Sequence, residues 1–122
     1  MAGSSADLHE SKEDLSPDTV DRHRAVVSLM EELEAVDWYD QRVDAATDDE
    51  LRAILAHNRD EEKEHAAMLL EWLRRHDPGM EEELESYLFK RGRITELEHE
   101  EGKEEADTGT VDSGLGVGSL KE

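Results

Sequence analysis

The sequence predicts an all-α protein: an antiparallel two-helix hairpin plus a short C-terminal helix, with a second copy needed to close a four-helix bundle. Three observations predict this. Two stretches of about thirty residues lack interior Gly and Pro and carry apolar residues in alternating steps of four and three. A cap-rich turn separates them, so the second reverses on the first. The chain is also too polar to close on one hairpin: 39% of its 122 residues are charged, and one Phe, two Tyr and two Trp must fill the interior. A small domain hides a modest fraction of its surface, so metal binding or association must supply the remainder.

Residues 1–15 are polar and aperiodic and read as a disordered N-terminus. Ser16, Pro17 and Asp18 then supply an N-cap, a first-turn proline and an acid at the positive helix end. Helical composition continues to about Ala46. Thr47, Asp48, Asp49 and Glu50 read as a capping box opening a second helix that runs to about His76. At ~1.5 Å per residue each helix is about 45 Å long. Asp77, Pro78 and Gly79 stop it, because proline lacks an N–H donor and disfavours helix in the residue before it. Residues 80–90 suit a short third helix with Leu84, Tyr87 and Leu88 on one side, interrupted at Arg91 and Gly92. The helical domain therefore spans 16–91. Residues 92–106 are acidic and partly helical in pattern, and 107–122 form a flexible tail rich in Gly, Ser and Thr.

In the first long helix Ala25, Leu29, Glu32, Val36, Tyr39 and Val43 follow the spacing of a seam facing a partner helix. In the second, Leu51, Leu55, Asn58, Glu62, His65, Leu69 and Trp72 do the same. Both apolar rows carry polar residues where a core belongs. Reversal near residues 46 and 47 sets Glu32 opposite Glu61 and Glu62, and Leu29 opposite His65. Carboxylates converging in a poorly hydrated place repel each other and lose hydration, at a cost that a bound cation offsets. Glu62 and His65, three positions apart, project from one helix face and can reach the same ion. Taken alone, Glu-x-x-His is common by chance in a Glu-rich chain and usually a surface pair; its place in the seam is what favours metal. Tyr39 in the same row is either an ordinary packing residue or a phenol bonded to a ligand.

The formal charge of −20, from 34 acidic and 14 basic residues, argues against nucleic acid and anionic membranes as partners and favours cations. Most of these carboxylates are solvated helix faces. The absence of Cys removes thiolate zinc and iron–sulfur sites and leaves His, Glu and Asp, a donor set for iron, manganese, zinc or calcium. No apolar run is long enough to span a bilayer and no signal-peptide pattern opens the chain, so a cytoplasmic location is expected.

Three ligands from one hairpin cannot satisfy two metal ions. Di-metal four-helix bundles use two Glu helices and two Glu-x-x-His helices, and this chain has one of each. Two hairpins are then required, and dimerisation makes the site.

The stretches SLMEELEAVDWYDQRVDA and ILAHNRDEEKEHAAMLLEWLRR, within a similarity running over about residues 20–91, resemble the encapsulated ferritins, ferritin-like ferroxidases held inside encapsulin shells. The resemblance implies a ferritin-like four-helix bundle formed by a homodimer. It also implies a ferroxidase centre of Glu32, Tyr39, Glu62 and His65 holding two iron ions at the dimer interface. Ring-shaped homo-oligomers, commonly decamers, and a location inside an encapsulin nanocompartment are implied as well. Glu31 and Glu34, with Trp38 nearby, match an acidic entrance site where calcium is also possible; from periodicity alone the two acids are solvated and the Trp is packing. The tail residues Leu115, Val117, Leu120 and Lys121 are similar to peptides that dock cargo in encapsulin shells, although composition alone reads them as a flexible linker. The rival reading is a non-catalytic acidic helical oligomer with structural metal.

Overall fold

A computed structural model of the protein describes residues 7–98, all helix, turn and connecting segments. Helix α1 spans Pro17–Ala45, α2 spans Asp49–His76 and α3 spans Pro78–Tyr87. The chain divides into two compact units, with the boundary between Met80 and Glu81. Within the N-terminal segment expected to be disordered, Lys12–Asp14 make a turn of 3-10 helix. The tail peptide, residues 115–121, and most of the acidic segment lie outside the described residues.

The start of α1 follows from its first residues. Ser16 Oγ accepts a hydrogen bond from the Thr19 amide at 3.1 Å, Pro17 takes the first helical position and Asp18 lies in the first turn. The cap of α2 sits one residue later than the capping box based on Thr47. Asp48 Oδ2 accepts from the Leu51 amide at 2.9 Å, and its extended backbone begins the helix at Asp49. Thr47 and Asp48 are both cap-forming types, and the carboxylate at Asp48 also faces the positive helix end.

The loop of residues 46–48 is held by Arg52. Its Nε donates to the Val43 carbonyl at 3.2 Å, one terminal nitrogen donates to the Ala46 carbonyl, and the other pairs with Asp49 at 3.0 Å. A guanidinium from α2 thus satisfies carbonyls that the end of α1 leaves without amide partners. The helices run antiparallel, as Arg59 of α2 also shows by pairing with Asp40 of α1 at 3.0 Å.

Little of the hairpin is deeply buried. Val20, Ala25, Ala66 and Leu73 are covered, and most seam positions are half-buried. Val26, Met30 and Leu33 on α1 and Ile54 and Met68 on α2 remain exposed. A single hairpin leaves this apolar surface in water, where contiguous patches ordinarily mark contact with another molecule.

Pro78 both ends α2 and starts α3, so the third helix begins two residues earlier than expected and ends at Tyr87 instead of Lys90. Asp77 provides the hinge: it follows the last residue of α2, and its Oδ1 accepts from the Met80 amide at 3.1 Å, capping the next helix. In the second unit, Ser86 is buried and donates to the Glu82 carbonyl at 3.0 Å. Phe89 follows α3 in the left-handed region at φ 59°, and Gly92 has φ 99°. A glycine usually fills the residue after a helix C-cap; a bulky side chain there is strained by roughly 1 kcal/mol. Ile94–Glu96 form a second 3-10 turn, after which Leu97 is buried.

Candidate metal centre

Glu32 on α1 meets Glu62 and His65 on α2 near the middle of the hairpin. His65 Nδ1 lies 3.2 Å from Glu62 Oε1 and 3.5 Å from Glu32 Oε1. One donor atom from each of the three residues falls within 4.8 Å of the other two. The α2 spacing explains part of this, since residues three apart share a face. The register set by the short loop and Arg52 explains the rest.

The three groups of the cluster shift one another's protonation. Glu32 is raised above the ordinary 4.5, first by a proton shared with Glu62, then by partial burial and by the Glu62 charge, with His65 pulling the other way. Glu62 is lowered, mainly by that same shared proton and further by His65. For His65 burial disfavours the imidazolium, yet the hydrogen bond with Glu62 and the charges of Glu32 and Glu62 outweigh it, leaving the group above 6.5. The three groups therefore titrate as a coupled set, each one's proton affinity set by the other two. Glu32 Oε1 is shut off from solvent and has no hydrogen-bond partner. A shielded carboxylate oxygen without a donor is costly, and a cation between the three groups supplies what it lacks.

The donor set of two carboxylates and one imidazole suits iron, manganese and zinc. It also leaves coordination positions open. One hairpin contributes one Glu-x-x-His helix and one Glu helix, half of what di-metal bundles use.

The other candidate residues stand outside this cluster. Tyr39 is half-buried, with the Arg42 guanidinium 5.4 Å from its ring centre, and it makes no hydrogen bond to Glu32, Glu62 or His65 among the described residues. Glu31 and Glu34 are exposed and Trp38 is about half-exposed at 49%. These three share a face of α1 beside the one that carries Glu32. Sequence reasoning overlooked Arg52 and Arg59, the two side chains that link α1 to α2 through the loop carbonyls and Asp40. The signal for them was weak, because an Arg near a helix start or in a charged run is ordinarily solvated.

A family profile of EncFtn-like proteins matches residues 7–91. The chain belongs to the EncFtn-like family. It is 60% identical over 129 aligned residues to the Encapsulated ferritin-like protein of Rhodospirillum rubrum, covering 99% of this chain and 92% of that one. It is 54% identical over 101 residues to the Ferritin-like protein of Thermotoga maritima, covering 83% and 89% of the two chains. At 36% identity over 104 residues it is similar to the Encapsulin nanocompartment cargo protein EncC of Myxococcus xanthus, covering 78% and 80%. Among solved structures, a crystal structure of a protein from Nitrosomonas europaea superposes with a TM-score of 0.69 at 63% identity, covering 71% of this chain and 96% of that one. No described helix is long and apolar enough to cross a membrane.

Proposed function

We propose that this EncFtn-like protein is a ferroxidase that oxidises Fe(II) to Fe(III) with oxygen at a two-iron site shared by two copies of the chain. The observation that carries the reading is the half-buried trio of Glu32, Glu62 and His65, with one carboxylate oxygen shielded and without a hydrogen bond. Iron is the substrate here. Two ferrous ions sit between the trios of paired copies, each gives one electron to oxygen, and the surrounding carboxylates favour the ferric charge that results. Metal takes these ligands without their protons, so protons compete with its entry.

On this reading Tyr39 meets the irons only from across the pair, while Glu31, Glu34 and Trp38 line an approach where other cations such as calcium also bind. The names of two relatives, an encapsulated ferritin-like protein and an encapsulin cargo protein, support a place inside an encapsulin nanocompartment. The shell then stores the ferric product, and the homodimers join into a ring, a decamer being the size expected from the family. Leu115, Val117 and Leu120 dock in the shell, with Lys121 beside them. Deleting residues 107–122 spares iron oxidation and abolishes co-purification with the shell; loading that persists without them puts the docking segment elsewhere.

Aerobic ferrous titration, following oxygen uptake and ferric absorbance, tests the central assignment. Wild type consumes oxygen well above the buffer rate. Glu62→Ala lowers that rate by at least the roughly 10–100-fold that loss of a ligand's outer-shell partner costs, while circular dichroism retains the helix signal. A Glu62→Ala protein with unchanged turnover moves the chemistry to another place, and a wild type no faster than buffer leaves only structural metal binding.

A further inference from the structure

The chain carries two surface features that fit each other and that the iron site does not use. One is the turn after α3. Phe89 is fully exposed at 101%, with its backbone in the left-handed region. Ile94 is also largely exposed. Lys90, Arg91 and Arg93 flank the Phe, three cations in four residues of a chain whose net charge is −20. Every Lys and Arg of the two long helices has a partner: Arg24 pairs with Asp21, Arg59 with Asp40, Lys63 with Asp60 and Arg75 with Glu71, and the rest are likewise engaged. Among the described residues the side chains of Lys90, Arg91 and Arg93 have none. Three unneutralised cations around an aromatic ring are the composition of an interface anchor.

The other feature lies on α2, a groove of about 450 Å³ with mostly apolar walls. Met68 and the stacked rings of Trp72 and His76, 3.9 Å apart, form its sides. Glu64 stands at its rim as an exposed carboxylate without a partner among the described residues. Arg75 is also there, paired at 2.7 Å with Glu71, a carboxylate it shares with Arg74. At 3.6 residues per turn the groove is centred roughly a third of a turn around α2 from Glu62 and His65. Filling it does not require the metal ligands.

We propose that Phe89 of one copy inserts between Met68 and Trp72 of a second copy, with Glu64 of the second copy facing Lys90 and Arg91 of the first. Side-chain chemistry and charge both favour this occupant. The aromatic ring meets sulfur and indole surface, which favour it beyond the area buried, and the free cations meet a free carboxylate. A polyanion such as nucleic acid would satisfy the cations but is repelled by the other charges of the molecule. The contact joins unlike surfaces, so two copies can make it twice about a two-fold axis or once each in a head-to-tail series that closes only where the rotation allows a ring. It thus deepens the self-association in the proposed function, but it uses no metal and rests on no iron chemistry.

Because the chain has no Cys, single cysteines report this contact without background. Full-length Phe89→Cys and Met68→Cys, one of them tagged, are co-expressed, purified in chelator and oxidised mildly. Non-reducing electrophoresis then resolves the mixed dimer by size. The expected mixed band exceeds that from Phe89→Cys with Lys63→Cys, an exposed position off the groove, by about tenfold, the scale of a hot-spot anchor. Adding Lys90→Glu and Arg91→Glu lowers it about fivefold, as charge complementarity at the rim requires. A mixed band no stronger than the Lys63 control overturns the proposal. So does closure of the Met68→Cys/Phe89→Cys double variant within one chain, which would make the turn's own hairpin the occupant. The readout excludes iron throughout, so failure of the ferroxidase assay and failure of this contact are separate results.

Discussion

On the proposed function, protons and a metal ion compete for Glu32, Glu62 and His65, and the competition fixes how the site depends on pH. His65 is raised above 6.5, so its imidazolium stabilises the metal-free fold below that pH and the contribution disappears as pH rises through the raised value. Glu62 is lowered, so its contribution is present above 4.5 and is lost as pH falls through the lowered value. Glu32 has the opposite sign: raised above 4.5, it costs stability as pH climbs from there to its raised value. A metal ion needs all three without their protons, so affinity rises with pH and is still rising beyond 6.5, the ordinary imidazole value. Each proton displaced steepens the dependence by up to about tenfold per pH unit. Cobalt(II), which is coloured when bound and stable in air over a titration, gives the measurement. Equal affinity at pH 6 and pH 8 would show that the three groups hold no competing proton. These residues were legible in the sequence because a carboxylate in an apolar row is anomalous. Tyr39 was not, since an aromatic in such a row is ordinary packing, and nothing in one hairpin bonds its hydroxyl to a ligand.

The hairpin places the trio, and its short loop sets the register, so the caps at that loop matter beyond local helix stability. Asp48→Ala removes the side chain that accepts from the Leu51 amide and destabilises the fold by about 1 kcal/mol, which lowers the thermal midpoint by roughly 4–8 °C in a domain of this size. Thr47→Ala shifts it little, because that side chain is not the cap. Thermal unfolding followed by circular dichroism separates the two, and a larger loss from Thr47→Ala would move the cap back to the residue that the sequence suggested. The long helices were readable because caps, proline and two uninterrupted apolar rows agreed on them. Their ends were less so: adjacent Thr47 and Asp48 compete for one role, and Pro78 serves as a stop for α2 and as the first residue of α3. The link from Arg52 to the carbonyls of Val43 and Ala46 left no trace in the periodicity, because it forms only once the loop has closed.

Across the whole molecule, two opposing effects govern association. The exposed apolar positions on α1 and α2 favour a partner, and a net charge of −20 on each chain opposes one. Salt weakens the repulsion generally, with a screening length of about 10 Å at 0.1 M. Metal acts locally, at the carboxylates themselves, and also bridges copies if the two half-sites face each other. The two effects can be separated. Anaerobic ferrous ion at fixed ionic strength shifts wild type toward dimers and larger assemblies in light scattering, because a ligand that binds only the assembled form drives assembly by mass action. Glu62→Ala loses that response but still associates further as sodium chloride is raised, since its apolar surface and most of its charge are unchanged. If ferrous ion promotes association of Glu62→Ala as well as of wild type, the metal is neutralising dispersed surface carboxylates, and the shared centre is not what joins the copies.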